Sequence, residues 1–314
     1  MKLSLVIPLL NEKESLPPLV QSIASSLDAA ALPYEVIFVD DGSTDGSFDV
    51  IRKLHGEYPG KIRAVRFSRN YGKAAALSVG IEQARGDVIV TMDADLQDDP
   101  AVIPDMVQLL DKGYDVVSGW KKKRYDPITK TLPSKVWNLV TSLLAGIRLH
   151  DFNCGFKAYR AEAAKGLDIY GERHRYLPVL AFWNGYRVTE MVVPHHPRKF
   201  GKSKYGLGRG LKGIFDLLTL LFLRKYMKNP LHFFGLVGLV FALLGAAVLA
   251  YFGVEWIVTR QMHIRPLILL STVAIIMGIQ FISIGLIGEM ITHAGPKNTY
   301  TVKDALPTTQ KAGG

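Results

Sequence analysis

Leu231 to Val254 and Leu267 to Gly288 contain no Asp, Glu, Lys or Arg. Each run is long enough to supply the roughly 20 apolar residues that cross a bilayer. A core helix of that length would normally show a polar face. Pro230 and Pro266 stand just ahead of the runs, where proline suits a first helical turn. The chain is therefore expected to carry two transmembrane helices, 231–258 and 266–291. The link Thr259 to Arg265 is too short for a domain, so the pair should form a hairpin with both chain ends on one side.

The 314 residues exceed a typical single domain, and the net charge of +10 is unevenly placed. Between His195 and Lys228 there are nine Lys or Arg against one acid, Asp216, and between Lys121 and Lys135 six against Asp126. Beside a membrane hairpin, basic segments of this kind are expected to meet anionic headgroups and lipid phosphates rather than nucleic acid. Arg224, Lys225 and Lys228 precede the first helix, and Lys297 and Lys303 follow the second. Although Arg260 and Arg265 lie in the link, that larger cluster predicts a cytoplasmic catalytic domain on an inner or plasma membrane. Lys2 to Pro8 leads directly into Asn11 and Glu12, so no secretory signal is expected. The single cysteine, Cys154, has no intrachain partner, in keeping with a reducing compartment.

Ahead of the hairpin, short apolar runs alternate with helical patterns. Strands are expected at Leu3–Pro8, Tyr34–Val39, Ile62–Phe67, Val88–Met92 and Tyr114–Ser118. Helices are expected at Glu12–Leu27, about Asp45–His55, Lys73–Ala84 and Val102–Leu110. This alternation predicts an α/β fold with a doubly wound, mostly parallel sheet. The domain boundaries follow: 1–207 catalytic, 208–229 an amphipathic interfacial helix, 230–293 the two spans and 294–314 a flexible cytoplasmic tail. Ile214 to Leu223 is too short to span and reads as an in-plane helix. Ser134 to Ile147 reads as a helix with a wide apolar face (Val136, Leu139, Val140, Leu143, Leu144), destined for the membrane surface or for the protein core.

Two acidic strand ends carry the chemistry, Asp40-Asp41-Gly42-Ser43 and Asp93-Ala94-Asp95-Leu96-Gln97. Two carboxylates one residue apart at the end of a buried strand suit a divalent cation that holds a diphosphate, at the sheet edge where open α/β folds bind ligands. Taken alone, an Asp-x-Asp pair is more often a solvated loop.

In order, the chain carries Val6-Ile7-Pro8-Leu9-Leu10-Asn11-Glu12 and Val39-Asp40-Asp41-Gly42-Ser43-Thr44-Asp45, then the Asp93-to-Gln97 motif. Asp151-Phe152-Asn153-Cys154-Gly155-Phe156 and Arg198-Lys199-Phe200-Gly201-Lys202-Ser203-Lys204-Tyr205 follow. Across residues 1 to about 228 this set resembles the inverting family-2 glycosyltransferases with a GT-A fold, in the polyprenyl-phosphate branch of dolichyl-phosphate mannose synthase and undecaprenyl-phosphate glucosyltransferases. The resemblance implies transfer of one hexose from a nucleotide-sugar to a membrane polyprenyl phosphate, with inversion. It implies that Pro8, Leu10, Glu12, Val39 and Asp41 line the nucleoside pocket. Asp40 either contacts the base or caps its turn. Asp93, Asp95 and Gln97 would surround Mg²⁺ or Mn²⁺, with Ala94 and Lys121 on the donor. Lys130, Ser134, Arg198, Ser203 and Lys204 would hold the lipid phosphate. The catalytic set would be Asp95, Asp151, Arg198 and Lys130, with Asp151 orienting the acceptor or holding structure. Lys121 and Lys130 stand where mannose synthases carry arginine, and Arg124 could replace one of them. Hairpin-anchored relatives also imply a homo-oligomer.

His195 and His196 are neighbours in an extended segment, point to opposite faces and read as a solvated or hydrogen-bonded pair rather than metal ligands. Cys154 reads as a small packed residue. No Gly-x-Ser-x-Gly elbow or Walker loop is present. A processive polysaccharide synthase would carry Gln-x-x-Arg-Trp, and none of Trp120, Trp137, Trp183 or Trp256 follows an arginine. An inactive membrane scaffold on the same fold is the alternative from another class. Among donors UDP-glucose is expected first, then GDP-mannose, with an amino-arabinose nucleotide also open.

Overall fold

The computed structural model describes residues 1–122, 138–167, 169, 173–197, 200, 222, 226, 229–260 and 266–294. The chain divides into two units, Met1–Asp216 and Leu217–Gly314. The expected interfacial helix 208–229 and the tail lie almost wholly outside the described residues.

The first unit is built on one seven-stranded sheet. Its strands are β1 (Leu3–Leu9), β2 (Tyr34–Asp40), β3 (Ile62–Arg66), β4 (Val88–Thr91), β5 (Val116–Trp120), β6 (Lys157–Arg160) and β7 (Val188–Val192), in the order β3-β2-β1-β4-β6-β5-β7. β1 pairs in parallel with both β2 and β4, so the chain reverses its direction of strand addition there. Such a switch point opens a crevice at the carboxyl ends of the strands. β6 is antiparallel to β4 and β5, while β5 and β7 are parallel. The mostly parallel sheet thus holds one reversed strand, which separates β4 from the β5 that follows it in sequence.

β1 and β2 are buried along their whole lengths because helices cover both faces. Leu3, Leu5, Ile7 and Leu9 pack with Leu16, Leu19, Val20, Ile23 and Leu27 of α1 (Leu16–Ala29), and with α2 (Ser47–Glu57) and α4 (Ile103–Asp111). Val6, Ile37 and Val39 point the other way, onto Ala74, Ala76, Leu77 and Ile81 of α3 (Lys73–Gln83).

One buried charge ties these layers together. Glu35 of β2 accepts from the Ser4 hydroxyl at 2.7 Å, the Arg85 N–H at 2.9 Å and Arg63 at 3.2 Å. Burial alone would raise its pKa, but these donors outweigh burial and hold it below the ordinary 4.5. A depressed carboxyl stabilises the fold above the unfolded-state pKa, and that contribution fades as pH falls through the folded value. Glu35→Gln is therefore expected to cost about 2 kcal/mol at pH 7. Thermal melts should show the gap between parent and variant narrowing below pH 4.5.

A short helix, α5 (residues 138–145), has its polarity reversed. Asn138, Thr141 and Ala145 are buried, whereas Leu139, Val140, Leu143 and Leu144 are exposed, Leu143 by 74 %. Two of its polar side chains are hydrogen-bonded inward: the Asn138 amide donates to the His150 carbonyl at 2.6 Å and the Ser142 hydroxyl to the Leu149 carbonyl at 3.2 Å, while the Thr141 hydroxyl and the Asn138 carbonyl oxygen have no such partner among the described residues. Trp183, at the end of α7 (Leu177–Trp183), donates to the Ala145 carbonyl at 2.9 Å. Of the two destinations expected for these leucines, burial in the core is not the one they take. A preceding short helix, α6 (Ala161–Lys165), packs on the α3 side of the sheet.

Among the described residues the second unit holds two helices with spans long and apolar enough to cross a membrane, Pro230–Thr259 and Pro266–Ile291, the second helix continuing to Ala294. They touch backbone to backbone. A Cβ added at Gly238 would lie 2.5 Å from the Gly278 carbonyl oxygen, and one at Gly278 would lie 2.6 Å from that of Gly238. Small residues permit this approach where van der Waals packing must hold helices together without a hydrophobic drive. Glu289 accepts from the Leu231 N–H at 3.4 Å, a negative charge at the positive end of the first helix.

Candidate functional site

The chain leaves β1, β2, β4, β5 and β7, and enters the antiparallel β6, at one edge of the sheet. The expected acidic motifs meet there because each sits just beyond a strand end.

After β2, Asp40 is fully buried. Its Oδ1 accepts from the Ser43 N–H at 2.8 Å, and Arg66 lies 3.5 Å from Oδ2. This is the turn-capping role. Asp41 is also buried, and its two oxygens accept from the Tyr71 N–H at 2.7 Å and the Gly72 N–H at 3.0 Å. It thereby fastens the loop that starts α3. The β1 loop is laced to the same turn, with the Asn11 N–H on the Ser43 hydroxyl and the Glu12 N–H on the Ser47 hydroxyl. The Glu12 carboxylate accepts from Ser15. Pro8 and Val39 are buried strand residues in register with each other, and Leu10 is half-buried at the mouth.

After β4, Asp93 is half-buried and Asp95 and Ala94 are buried. Asp95 Oδ1 accepts from the Gln97 N–H at 3.2 Å, closing a turn through Leu96, whose φ is +60°. Gln97 donates its side-chain amide to the His196 carbonyl at 3.4 Å and accepts at its own carbonyl from the His196 N–H at 3.0 Å. The Asp-x-Asp loop is thus tied to the segment after β7. The His196 ring is half exposed and lies 3.6 Å from the Asp99 carboxylate.

Asp93 has a close-fitting cradle. A Cβ on Gly155 would stand 2.9 Å from one Asp93 oxygen and 3.0 Å from the other, so a larger residue there would push the carboxylate aside. The Thr91 hydroxyl donates to the Gly155 carbonyl at 2.8 Å and fixes that backbone. On Oδ1 sits the Lys73 ammonium. Burial would raise the Asp93 pKa, but Lys73, helped by Lys121 and His174, holds it down at about 2. The carboxylate is anionic at any working pH, and a cation already stands beside it.

Lys121 is ion-paired within the fold. Its side chain is 13 % exposed and pairs at 2.7 Å with the buried Asp98. Burial lowers an ammonium pKa, yet Asp98 more than offsets this and raises it above the lysine range. The lysine expected on the donor thus also has an internal carboxylate partner. Lys157, in register with Thr91 and Ser118, is buried with its ammonium on the Phe152 and Cys154 carbonyls, and burial depresses its pKa. Asp151 is 1 % exposed and accepts from the Asn153 N–H at 3.1 Å, which makes it a turn-forming residue close to Lys157. Cys154 is buried, and its thiol is pushed up to about 12 by burial, so it is an inert packed residue.

Lys130, Ser134, Arg198, Ser203 and Lys204 lie outside the described residues, as does Arg124. Lys73, Asp98 and Lys157 were not anticipated from sequence, and Gly155 stood only within the Asp151-to-Phe156 motif, with no role assigned. Lys73 had left one clue: a cation at the first position of a helix opposes the helix dipole and calls for a nearby anion.

Among the described residues no group of three or more His, Cys, Asp or Glu gathers into a metal site. Asp93 and Asp95 nonetheless suit Mg²⁺ or Mn²⁺. They are hard oxygen donors, two in number, for ions that take further ligands from waters and substrate phosphates, and an ammonium stands in for a cation at Asp93.

The sequence model of glycosyl transferase family 2 matches residues 4–167. Over 312 residues the chain is 38 % identical to the dodecaprenyl-phosphate galacturonate synthase of Rhizobium johnstonii, covering 98 % of this chain and 91 % of that protein. It is 36 % identical over 297 residues to the undecaprenyl-phosphate 4-deoxy-4-formamido-L-arabinose transferase of Yersinia enterocolitica, covering 92 % and 88 %. Among solved structures it is similar to glucosyl-3-phosphoglycerate synthase from Mycobacterium tuberculosis, crystallised with Mn²⁺, UDP and phosphoglyceric acid. That likeness has a TM-score of 0.55 at 19 % identity, over 71 % of this chain and 78 % of the other.

Proposed function

The chain belongs to glycosyl transferase family 2, and from that premise we propose that it transfers one sugar from a nucleotide-sugar to the phosphate of a membrane polyprenyl phosphate, inverting the anomeric centre and releasing the nucleoside diphosphate. It has a GT-A fold followed by two long apolar helices. The observation that carries the donor half is the cradled Asp93 beside Asp95 at the β1/β4 switch point, permanently anionic and partnered by a cation. The acceptor half is supported by α5, whose outward leucines suit an acyl environment, and by relatives named for polyprenyl phosphates.

In this reading residues 230–293 span the membrane, 1–207 form the cytoplasmic catalytic domain and 208–229 lie along the interface. Copies of the chain assemble with one another. Pro8, Leu10, Val39 and Asp41 frame the nucleoside. Asp93 and Asp95 hold a Mg²⁺ or Mn²⁺ ion, which acts as a Lewis acid on the diphosphate when bound. Arg198, Ser203, Lys204, Lys130 and Ser134 receive the lipid phosphate. A phosphate monoester has a second pKa of about 6 and is largely dianionic at neutral pH, so its oxygen attacks without a strong base. The protein's task is placement in line with the leaving group and screening of like charge. Buried Asp151 serves by shaping the Asn153 turn rather than by taking a proton.

The two relatives' names carry galacturonate and a formamido-arabinose, which widens the donor choice beyond UDP-glucose. The test is incubation of the detergent-purified chain with polyprenyl phosphate and UDP-glucose, UDP-galacturonate, UDP-formamidoarabinose or GDP-mannose, with and without Mg²⁺. One donor should be consumed in step with glycolipid formation, only when both cation and lipid are present. Consumption that ignores the lipid would contradict the acceptor assignment. Consumption of none would favour the inactive scaffold.

A further inference from the structure

We propose that Lys73 is a built-in counter-ion that occupies the cation position of Asp93 until a donor arrives, so that metal and nucleotide binding each depend on the other. The inference rests on the donor reading above and concerns how that site loads.

Three observations lead to it. The Lys73 ammonium is in contact with Asp93 Oδ1, on the carboxylate expected to hold the metal. Gly155 closes one side of that carboxylate, where an added Cβ would stand 2.9 Å from one oxygen and 3.0 Å from the other. A divalent cation arriving at Asp93 therefore meets a positive charge, and the ammonium is the group that must move. Lys73 carries its ammonium on a flexible four-carbon stem, with the side chain 22 % exposed. Lys121, by contrast, is held at 2.7 Å by a fully buried carboxylate of its own.

The backbone around Lys73 stays in place when the side chain moves. Asp41 holds the Tyr71 and Gly72 N–H groups, so the first turn of α3 is anchored to the end of β2. A displaced ammonium thus sweeps only the length of its own stem, at the same sheet edge where the donor's diphosphate lies in the proposed function. The diphosphate offers it a new anion and leaves Asp93 to the metal. Linkage makes this reciprocal: if nucleotide draws Lys73 off Asp93, metal must raise nucleotide affinity by the same factor.

The test is Mn²⁺ binding to the detergent-purified full chain, read by electron paramagnetic resonance or calorimetry, with and without UDP and without any acceptor. The parent should bind Mn²⁺ weakly alone and at least about tenfold more tightly with UDP, within the usual range of coupling between sites. Lys73→Gln should bind Mn²⁺ alone about tenfold more tightly than the parent and gain less from UDP. Lys73→Arg, which keeps the charge, should behave as the parent. Lys73→Met gives the same reading as the Gln variant if that protein fails to fold. A Gln or Met variant whose nucleotide-free Mn²⁺ affinity equals or falls below the parent's overturns the proposal while leaving the donor site intact. A parent that binds no Mn²⁺ under either condition overturns the metal assignment, and this inference with it.

Discussion

An Asp95→Asn protein is expected to transfer sugar about a thousandfold more slowly than the parent while melting within a few degrees of it. Asp95 is buried, and its Oδ1 accepts from the Gln97 N–H at 3.2 Å, a bond that the amide oxygen of asparagine can still accept. The loop should therefore keep its shape. In the proposed function, what disappears is one of the two negative charges offered to a divalent ion, at the point where charge develops on the departing diphosphate. Removing a single preorganised electrostatic partner from such a position costs about 10² to 10³ in rate. Steady-state rates with the consumed donor, alongside Mn²⁺ titration in the presence of UDP, should show activity and cation affinity falling together. Full activity in this variant would remove the basis for the donor site. Asp93→Asn is a less clean experiment, because it also strands the Lys73 ammonium.

The second large effect is expected in the C-terminal helices. Gly238→Leu would place a side chain where an added Cβ already lies 2.5 Å from the Gly278 carbonyl oxygen and 2.8 Å from Ile282. Overpacking a tight contact typically costs about 1–3 kcal/mol. Here the obstacle is partly backbone and cannot change rotamer, so the hairpin must separate. The expected result is a melting point in detergent many degrees below the parent's, with loss of protein that elutes as a single species. Gly253→Leu is the matched control, since an added Cβ there meets nothing within 4 Å. Equal melting of the two variants would show that the helices do not pack through Gly238.

Much of this was legible in advance, for identifiable reasons. Strands covered on both faces are largely apolar, so β1, β2 and β4 stood out despite Ser4 and Glu35, and a carboxylate pair at the end of such a strand falls at the carboxyl edge. β6 did not stand out. It is four residues long, begins with Lys157 and ends with Arg160, and it lies buried between β4 and β5 only because Lys157 finds carbonyls there. Lys121 looked like a free cation because sequence does not reveal Asp98 beneath it. Gly155 looked like one glycine among 29, and its role depends on a carboxylate some sixty positions away in the chain. The periodicity of α5 revealed a two-sided helix but not which side faces inward. That was settled by Asn138 and Ser142 finding carbonyl partners within the fold.

The reversed polarity of α5 also gives the catalytic unit a wetting problem. Four greasy side chains standing out in water are a seed for self-adhesion, whereas against hydrocarbon the same four are at rest. Alone in water, the unit would keep that adhesive spot.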